Sequence, residues 1–372
     1  MLEIDCIKDA VAPRHWNEAR RDFFARFLIA LLIAQTVCLA RIASLFPSSA
    51  KIASRYHRMR RFFGGFVFEQ DDLARVVMGL AVRAGAKMPF VLAFDRTEWH
   101  LGKVVLNVFL IGIVHGQVVF PLLWTILDKK GCSDSTERIE LLRKAVALIG
   151  KKKVAFVIGD REFVSTKLLA WLMQEKIGFR LRLKCNMQIT NPAQTSLTAV
   201  GKRTFVAAGW VLRCGAFGKE QQLSGKRICL GQAVNVAGMR FKNEQNQSEF
   251  LIVVSDTVAP LSDYGLRWGI ENLFSGLKSR GFDLEATHLL HGERLSRLLS
   301  VLAIAFSWSV VVGEAEARQQ KQARLRMRKG HGRLPQSRFR EGLDTLRNLL
   351  APLCGNWNQS GFTEVVQFLY GT

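Results

Sequence analysis

Over roughly the first 65 residues, apolar positions recur with the long period of helices. Trp16–Phe27 and Leu28–Phe46 each read as helical, and Pro47-Ser48-Ser49 interrupts them. Lys51–Phe63 starts again behind a serine cap, and Gly64-Gly65 closes it. Phe68–Ala86 reads as a further helix, with Asp71 and Asp72 in the first turn, where carboxylates suit the helix dipole. At Met88 the pattern changes. Pro89–Asp95 (PFVLAFD) is a short apolar strand ending in a carboxylate. Lys103–Val114 and Gln117–Leu127 follow, rich in β-branched and aromatic residues and separated by His115-Gly116, which predicts a three-strand meander. Ser133–Ile149 reads as a helix, capped by Ser133 or Ser135. Lys153–Gly159 reads as a buried strand followed at once by Asp160, then Phe163–Glu175 as a helix and Phe179–Lys184 as an alternating strand.

The predicted order is therefore β-β-β-α-β-α-β, an α/β arrangement with a carboxylate directly after its first and fourth strands. Residues 185–249 leave that rhythm for short β-like pieces, Thr204–Leu212, Arg227–Leu230 and Ala233–Phe241. Glu249–Ser255 returns as a buried strand, and Leu261–Lys278 reads as one helix behind it. Helical patterns over Gly292–Val312 and Leu343–Leu353 complete the chain. The boundaries that follow are a helical region 1–66, an α/β domain over 67–184 and 250–290, a β insertion at 185–249, and a helical, basic region 291–372.

Charge changes the picture. The 372 residues carry 53 Lys and Arg against 31 Asp and Glu, a formal net charge of +22. Such an excess concerns partners rather than fold, and nucleic acid is the first polyanion to consider. The positive charge recurs in separate places. Lys51–Phe63 interleaves Arg55, Arg58, Arg60 and Arg61 with Tyr56 and His57. Between Lys176 and Arg227 there are ten Lys and Arg and one acid, Glu220. Arg318–Arg340 holds nine Lys and Arg and no acid. The first of these resembles a major-groove helix, against the plainer reading of a solvated basic face. Two apolar runs, Phe27–Ala40 and Leu298–Gly313, are too short and too interrupted for membrane spans and read as buried helices. No secretory signal is read at the start, and the seven scattered cysteines, without a C-x-x-C pair, suggest reduced thiols, a cytoplasmic protein and no zinc site.

The candidate chemistry centres on Leu261–Lys278. On a helical wheel Tyr264, Arg267, Glu271 and Lys278 fall within roughly 60° of one another, opposite a stripe of Leu266, Ile270, Leu273 and Leu277. The plain reading is a solvated face with an Arg267–Glu271 ion pair. The sharper one is a metal-holding carboxylate flanked by groups that grip phosphate. Asp95 and Asp160, after apolar strands, and Glu271, on the helix, then form a set of oxygen ligands suited to Mg2+ or Mn2+. Two such ions about 3.5–4 Å apart activate an attacking oxygen and stabilise a leaving one at a phosphodiester.

These residues resemble a known family. The spacing Y-x(2)-R-x(3)-E-x(6)-K, met by Tyr264, Arg267, Glu271 and Lys278, together with FDRTEW around Asp95 and IGDREF around Asp160, is similar to the DDE transposases of bacterial insertion sequences. More narrowly, it is similar to the cut-and-paste group with the Tyr-Arg-Glu-Lys signature. The resemblance covers roughly residues 55–285. It implies a ribonuclease-H-like catalytic fold, a mixed sheet with flanking helices, interrupted by the β insertion. It implies that Asp95, Asp160 and Glu271 hold two Mg2+ ions, with Mn2+ an alternative. Tyr264, Arg267 and Lys278 would contact phosphates of the element end, and Trp268 would pack against a displaced base or simply at the helix edge. Arg161 and Glu162 receive no role. The implied partners are double-stranded DNA, as terminal inverted repeats and target, and a second copy of the chain in a synaptic dimer. The implied setting is the bacterial cytoplasm, on nucleoid DNA. A transposase-derived DNA-binding protein without catalysis, acting as a repressor, is the alternative.

Overall fold

The computed structural model describes residues 9, 12–13, 15–66, 69–101, 104–127, 135–191, 204–289, 291–319 and 336–351. The chain forms two compact units, each assembled from separated segments. One comprises Met1–Ala86, Thr97–Lys130 and Glu271–Thr372, and the other Lys87–Arg96 and Gly131–Ile270.

The first unit holds the helices α1 (Glu18–Ala34), α2 (Leu39–Leu45), α3 (Ile52–Gly65) and α4 (Gln70–Ala84). Its first helix joins two runs that the pattern keeps apart. Every residue from Phe27 to Leu32 is buried, so the helix is apolar on all sides and no stripe marks its end. It ends instead at Gln35, whose backbone is left-handed (φ 50°) and whose N–H closes on the Leu31 carbonyl. At its start the Asn17 side chain accepts from the Arg20 N–H at 3.0 Å. Trp16 meets Phe24 and Phe66 edge to face, with ring centroids 5.4 and 4.7 Å apart.

In the same unit β2 (Val104–His115) and β3 (Val118–Leu127) form the expected hairpin. Its register shifts at Gly112, opposite Pro121, where a residue without an N–H is accommodated by a bulge. A side chain at Gly112 would collide with Val119 and the Phe120 carbonyl. The helix predicted over Gly292–Val312 is longer than its apolar run suggested. As α10 it spans Gly292–Gln319, 28 residues, and is long and apolar enough to cross a membrane, yet 89% of its most apolar stretch is buried within the protein. It packs on α4 and β3 and on α11 (Arg338–Leu350). Of the basic segment 318–340, residues 320–335 lie outside the described ones.

The second unit is a mixed sheet with helices. The first half of β1 (Phe90–Leu101) lies parallel to β4 (Val154–Gly159), and β4 lies parallel to β5 (Phe179–Arg182). From there the pairing turns antiparallel, through β11 (Ser248–Ser255) to β10 (Gln232–Lys242), and β10 also pairs β8 (Glu220–Gln222). Three short strands, β9 (Arg227–Cys229), β6 (Gln188–Thr190) and β7 (Phe205–Ala207), complete the order. The helices are α5 (Ser135–Ile149), α6 (Thr166–Gln174, capped by Ser165) and α7 (Ala208–Leu212), the last where an extended piece was expected. Ser133, the other candidate cap of α5, lies outside the described residues. Cys38, Cys185, Cys214 and Cys229 are free thiols.

The Leu261–Lys278 stretch departs from expectation most. It is two helices, α8 (Leu261–Gly265) and α9 (Trp268–Leu277), the second running from one unit into the other between Ile270 and Glu271. At the junction the N–H groups of Leu266, Arg267, Gly269 and Ile270 all bond to carbonyls three residues back, the tighter 3-10 pattern. Gly265 and Gly269, poor helix formers, flank the break. The wheel drawn for one continuous helix therefore does not hold across it.

Candidate active site

The site grows from the end of a strand pair. The parallel ladder of β1 and β4 closes with Phe94 opposite Gly159, and the next residue on each strand is an aspartate, Asp95 and Asp160. Contrary to the sequence reading, Asp95 does not end its strand, because β1 runs on to Leu101. It ends the pairing with β4, so both carboxylates stand where the two backbones are no longer tied. Gly159 permits the close approach, since a side chain there would strike the Phe94 ring. That ring is fully buried and meets Phe163 edge to face at 5.4 Å. The apolar members of FDRTEW and IGDREF thus pack the two motifs together.

Each aspartate has basic or phenolic company. Arg267 Nη1 donates to Asp95 Oδ2 at 2.7 Å, and the Arg96 backbone N–H donates to Asp95 Oδ1 at 2.8 Å. The Tyr264 hydroxyl donates to Asp160 Oδ1 at 3.1 Å, and Arg182 Nη1 lies 3.7 Å from the same oxygen. Beside them Arg96 grips Glu162 with both arms of its fork, Nε to Oε1 at 2.9 Å and Nη2 to Oε2 at 3.2 Å.

Burial governs the electrostatics. Desolvation pushes the Asp95 carboxyl up to about 6, against the opposing pull of Arg267 and the Arg96 N–H and with help from the charges of Asp160 and Glu162. Burial likewise raises the Tyr264 phenol, which keeps it a hydrogen-bond donor. Two neighbouring carboxylates, one of them costly to ionise, offer hard oxygen donors. A hard divalent cation with oxygen preference fits them.

Tyr264 is held in place by a buried arginine. Arg180, on β5, donates Nε to Asp263 Oδ2 at 3.1 Å and Nη1 to Asp256 Oδ1 at 3.0 Å, with its guanidinium 4.4 Å from the centre of the Phe156 ring. Asp263 precedes Tyr264 on α8, so this network fixes that helix against the sheet. Glu220, the one acid in the basic stretch 176–227, accepts from the N–H of Leu261 at 3.1 Å and caps the same helix. Tyr264 itself is 6% exposed and packs with Leu261, Ile158, Ala237 and Val253.

Of the remaining candidates, Trp268 is 62% exposed at the start of α9. Glu271 and Lys278 belong to the other unit, where Lys278 Nζ donates to the Glu98 carbonyl at 3.1 Å and lies 4.0 Å from Glu285. Among the described residues, no three His, Cys, Asp or Glu side chains gather closely enough to hold a metal ion. On α3 the arginines divide. Arg58, Arg60 and Arg61 are exposed, and Arg58 sits 5.0 Å over the Phe23 ring. A groove of about 510 Å3 runs past Arg20, Arg58 and Arg61. Arg55 turns to the chain instead, donating to the carbonyls of Ala43, Ser48 and Ala50.

Sequence reasoning missed Arg96, Glu162 and Arg182 as parts of the site. The first two stand inside the quoted motifs, one residue after Asp95 and two after Asp160, and their opposite charges were the available signal. Arg182 was visible only as one of the alternating cations of FRLRLK.

Fold and site together define a mixed α/β protein with a half-buried pair of aspartates answered by an arginine and a tyrosine. Residues 113–308, more than half of the chain, match the family described as the transposase DDE domain, and the chain belongs to that family. The match takes in Asp160, Tyr264, Arg267 and Glu271 and begins after Asp95. DDE transposase domains generally use divalent metal ions. Among solved structures, the chain is similar to the piggyBac transposase in a cryo-EM synaptic complex with hairpin DNA, at 10% identity and a TM-score of 0.41, over 99% of this chain and 83% of that one. No curated protein matches.

Proposed function

We propose that this protein is an insertion-sequence transposase of the cut-and-paste group, which cleaves DNA at the ends of its element and joins the 3′ ends to target DNA. The observation that carries the reading is the meeting of two motifs far apart in sequence, Asp95 and Asp160, at the open end of one strand pair, with Tyr264 and Arg267 closing on them. Parallel β1, β4 and β5 behind a hairpin support a ribonuclease-H-like catalytic fold for 67–184 and 250–290, interrupted by the β insertion 185–249.

Asp95 and Asp160, with Glu271 assigned from the signature spacing alone, would hold Mg2+, or Mn2+ in its place. When bound, such ions activate the attacking oxygen and stabilise the leaving one. Arg267 and Tyr264 serve two partners in turn. Without DNA Arg267 pairs with Asp95, and the Tyr264 hydroxyl donates to Asp160. With a phosphodiester in the site both would donate to its oxygens, and Asp95 and Asp160 would then be left to hold the cations. Lys278 adds a further charge toward the element end. Trp268, exposed directly after Arg267, offers a ring to an unstacked base. Arg58, Arg60 and Arg61 meet phosphates of the inverted repeat, whereas Arg55 keeps their helix in place. Two copies act on two ends in a synaptic dimer, on DNA in the bacterial cytoplasm.

A labelled duplex carrying the DNA end that flanks the gene tests this. Cuts at the element boundary with Mg2+, lost with EDTA and in Glu271→Gln while binding persists, are the expected result. Tight binding without cutting under any divalent metal would replace the proposal with a DNA-binding repressor.

A further inference from the structure

We infer that Arg96 and Glu162 form a clamp that sets the spacing of the Asp95 and Asp160 carboxylates, which makes them positioning residues of the metal-holding site. The inference rests on the proposed reading of that site.

The need for a clamp follows from the ladder. The last backbone pair joining β1 to β4 is Phe94 with Gly159. Beyond it neighbouring strands diverge by their natural twist, and each aspartate sits on a backbone with no rung to the other. The Arg96–Glu162 fork is a cross-link one residue past Asp95 and two past Asp160, with contacts of 2.9 and 3.2 Å. The pair is partly shielded, with side chains 20% and 28% exposed.

Arg96 is also tied to Asp95 directly. Its backbone N–H donates to Asp95 Oδ1 at 2.8 Å, so holding the Arg96 side chain also orients the amide that aims the carboxylate. On the other side, the N–H of Phe163 closes a turn onto the Asp160 carbonyl at 3.1 Å, and Glu162 lies inside that turn. One fork therefore spans the residue after the first aspartate and the turn that starts at the second.

Charge separates this pair from Arg267. An arginine paired to a metal ligand competes with a cation for it. Arg96 and Glu162 carry opposite charges, so as a pair they add no net charge beside the ligands, although the Glu162 charge helps to raise Asp95. Groups that orient ligands without touching the metal typically alter metal affinity about 10- to 100-fold when lost.

The test uses the full-length protein and Mn2+ alone as probe, with free Mn2+ read by electron paramagnetic resonance. Glu162→Gln keeps the shape but removes the charge, and Arg96→Lys keeps the charge but loses the fork. Each is expected to weaken Mn2+ binding about tenfold or more. The reversed pair, Arg96→Glu with Glu162→Arg, is expected to restore most of the loss, which separates a clamp from general damage. Thermal melting of each variant reports the fold. Wild-type Mn2+ affinity in both single variants, or a folded reversed pair that recovers nothing, would overturn the clamp. Asp95→Asn and Asp160→Asn distinguish the two levels of failure. If they abolish Mn2+ binding while the clamp variants retain it, only the clamp is wrong. If they too leave it unchanged, the metal reading falls and the clamp with it.

Discussion

Arg267 donates to Asp95 across 2.7 Å, although the two residues are 172 positions apart in the chain. The contact puts a permanent cation on a carboxylate that the proposed chemistry assigns to a metal. Arg267→Ala is expected to leave the protein folded and able to bind DNA, and to lower strand cleavage by roughly 100-fold, the usual loss when one positioned donor leaves a reacting centre. Single-turnover cleavage at saturating DNA checks it, and near-wild-type rates would remove Arg267 from the reaction.

Asp95 supplies a pH dependence of stability. Its carboxyl titrates near 6 when folded and about 3.9 when unfolded, so the folded state holds the proton more tightly. Stability contributed by the protonated form is complete below the unfolded value and is lost as pH rises from about 4 to about 6. At pH 8, in metal-free buffer, Asp95→Asn is expected to stabilise the protein by about 1–3 kcal/mol and to flatten this slope. Urea unfolding of both proteins at several pH values decides it. A destabilised Asp95→Asn would mean that the Arg267 contact outweighs the burial.

The arginines of α3 are expected to separate by experiment. Arg58→Ala and Arg61→Ala should each reduce the slope of log binding constant against log salt by about one phosphate contact. Arg55→Ala should leave that slope unchanged and lower stability by about 1–3 kcal/mol, because three carbonyls lose their donor. Equal salt slopes for all three variants would show that the structural division has no bearing on DNA.

Gly159→Ala is expected to cost about 1–3 kcal/mol, since its new methyl meets the buried Phe94 ring. Thermal melting measures the cost, and a neutral result would show that the two motifs have room to separate.

Trp268→Ala should hardly change stability, by roughly 0.5 kcal/mol or less, given its exposure. If it supports an unstacked base, the variant should also lose the fluorescence rise of a 2-aminopurine placed at the element end. An unchanged rise would leave Trp268 as a surface residue.

Much of this was legible from residue order. The switch at Met88 from long-period to β-branched patterns marked the start of the strands, because alternation and apolar runs report burial directly. The two aspartates at the ends of apolar runs were legible for the same reason, although β1 continues past Asp95. The partners of Tyr264 and Arg267 were not. A wheel assumes unbroken 3.6-residue geometry, and the tighter bonds from Leu266, Arg267, Gly269 and Ile270 break that geometry within the signature. The end of α1 was hidden because a helix buried all round has no polar face to stop. Arg55 looked like its neighbours, since nothing local distinguishes an arginine that binds carbonyls from one that faces solvent. Arg96 and Glu162 needed the register of β1 against β4, which single-strand patterns do not contain.

The interleaving of segments has a genetic consequence. The helix bearing Arg58 and Arg61 shares a unit with α10 and α11, and Arg297 of α10 donates to the carbonyls of Phe63 and Gly64 at the end of that helix. A premature stop codon upstream of α10 would therefore remove the support of the N-terminal helices along with the C-terminal ones. Truncated copies of the gene should yield inert polypeptides rather than fragments that occupy DNA and compete with intact protein. On the proposed function, truncation would then act as a plain loss of function rather than as a source of interfering fragments.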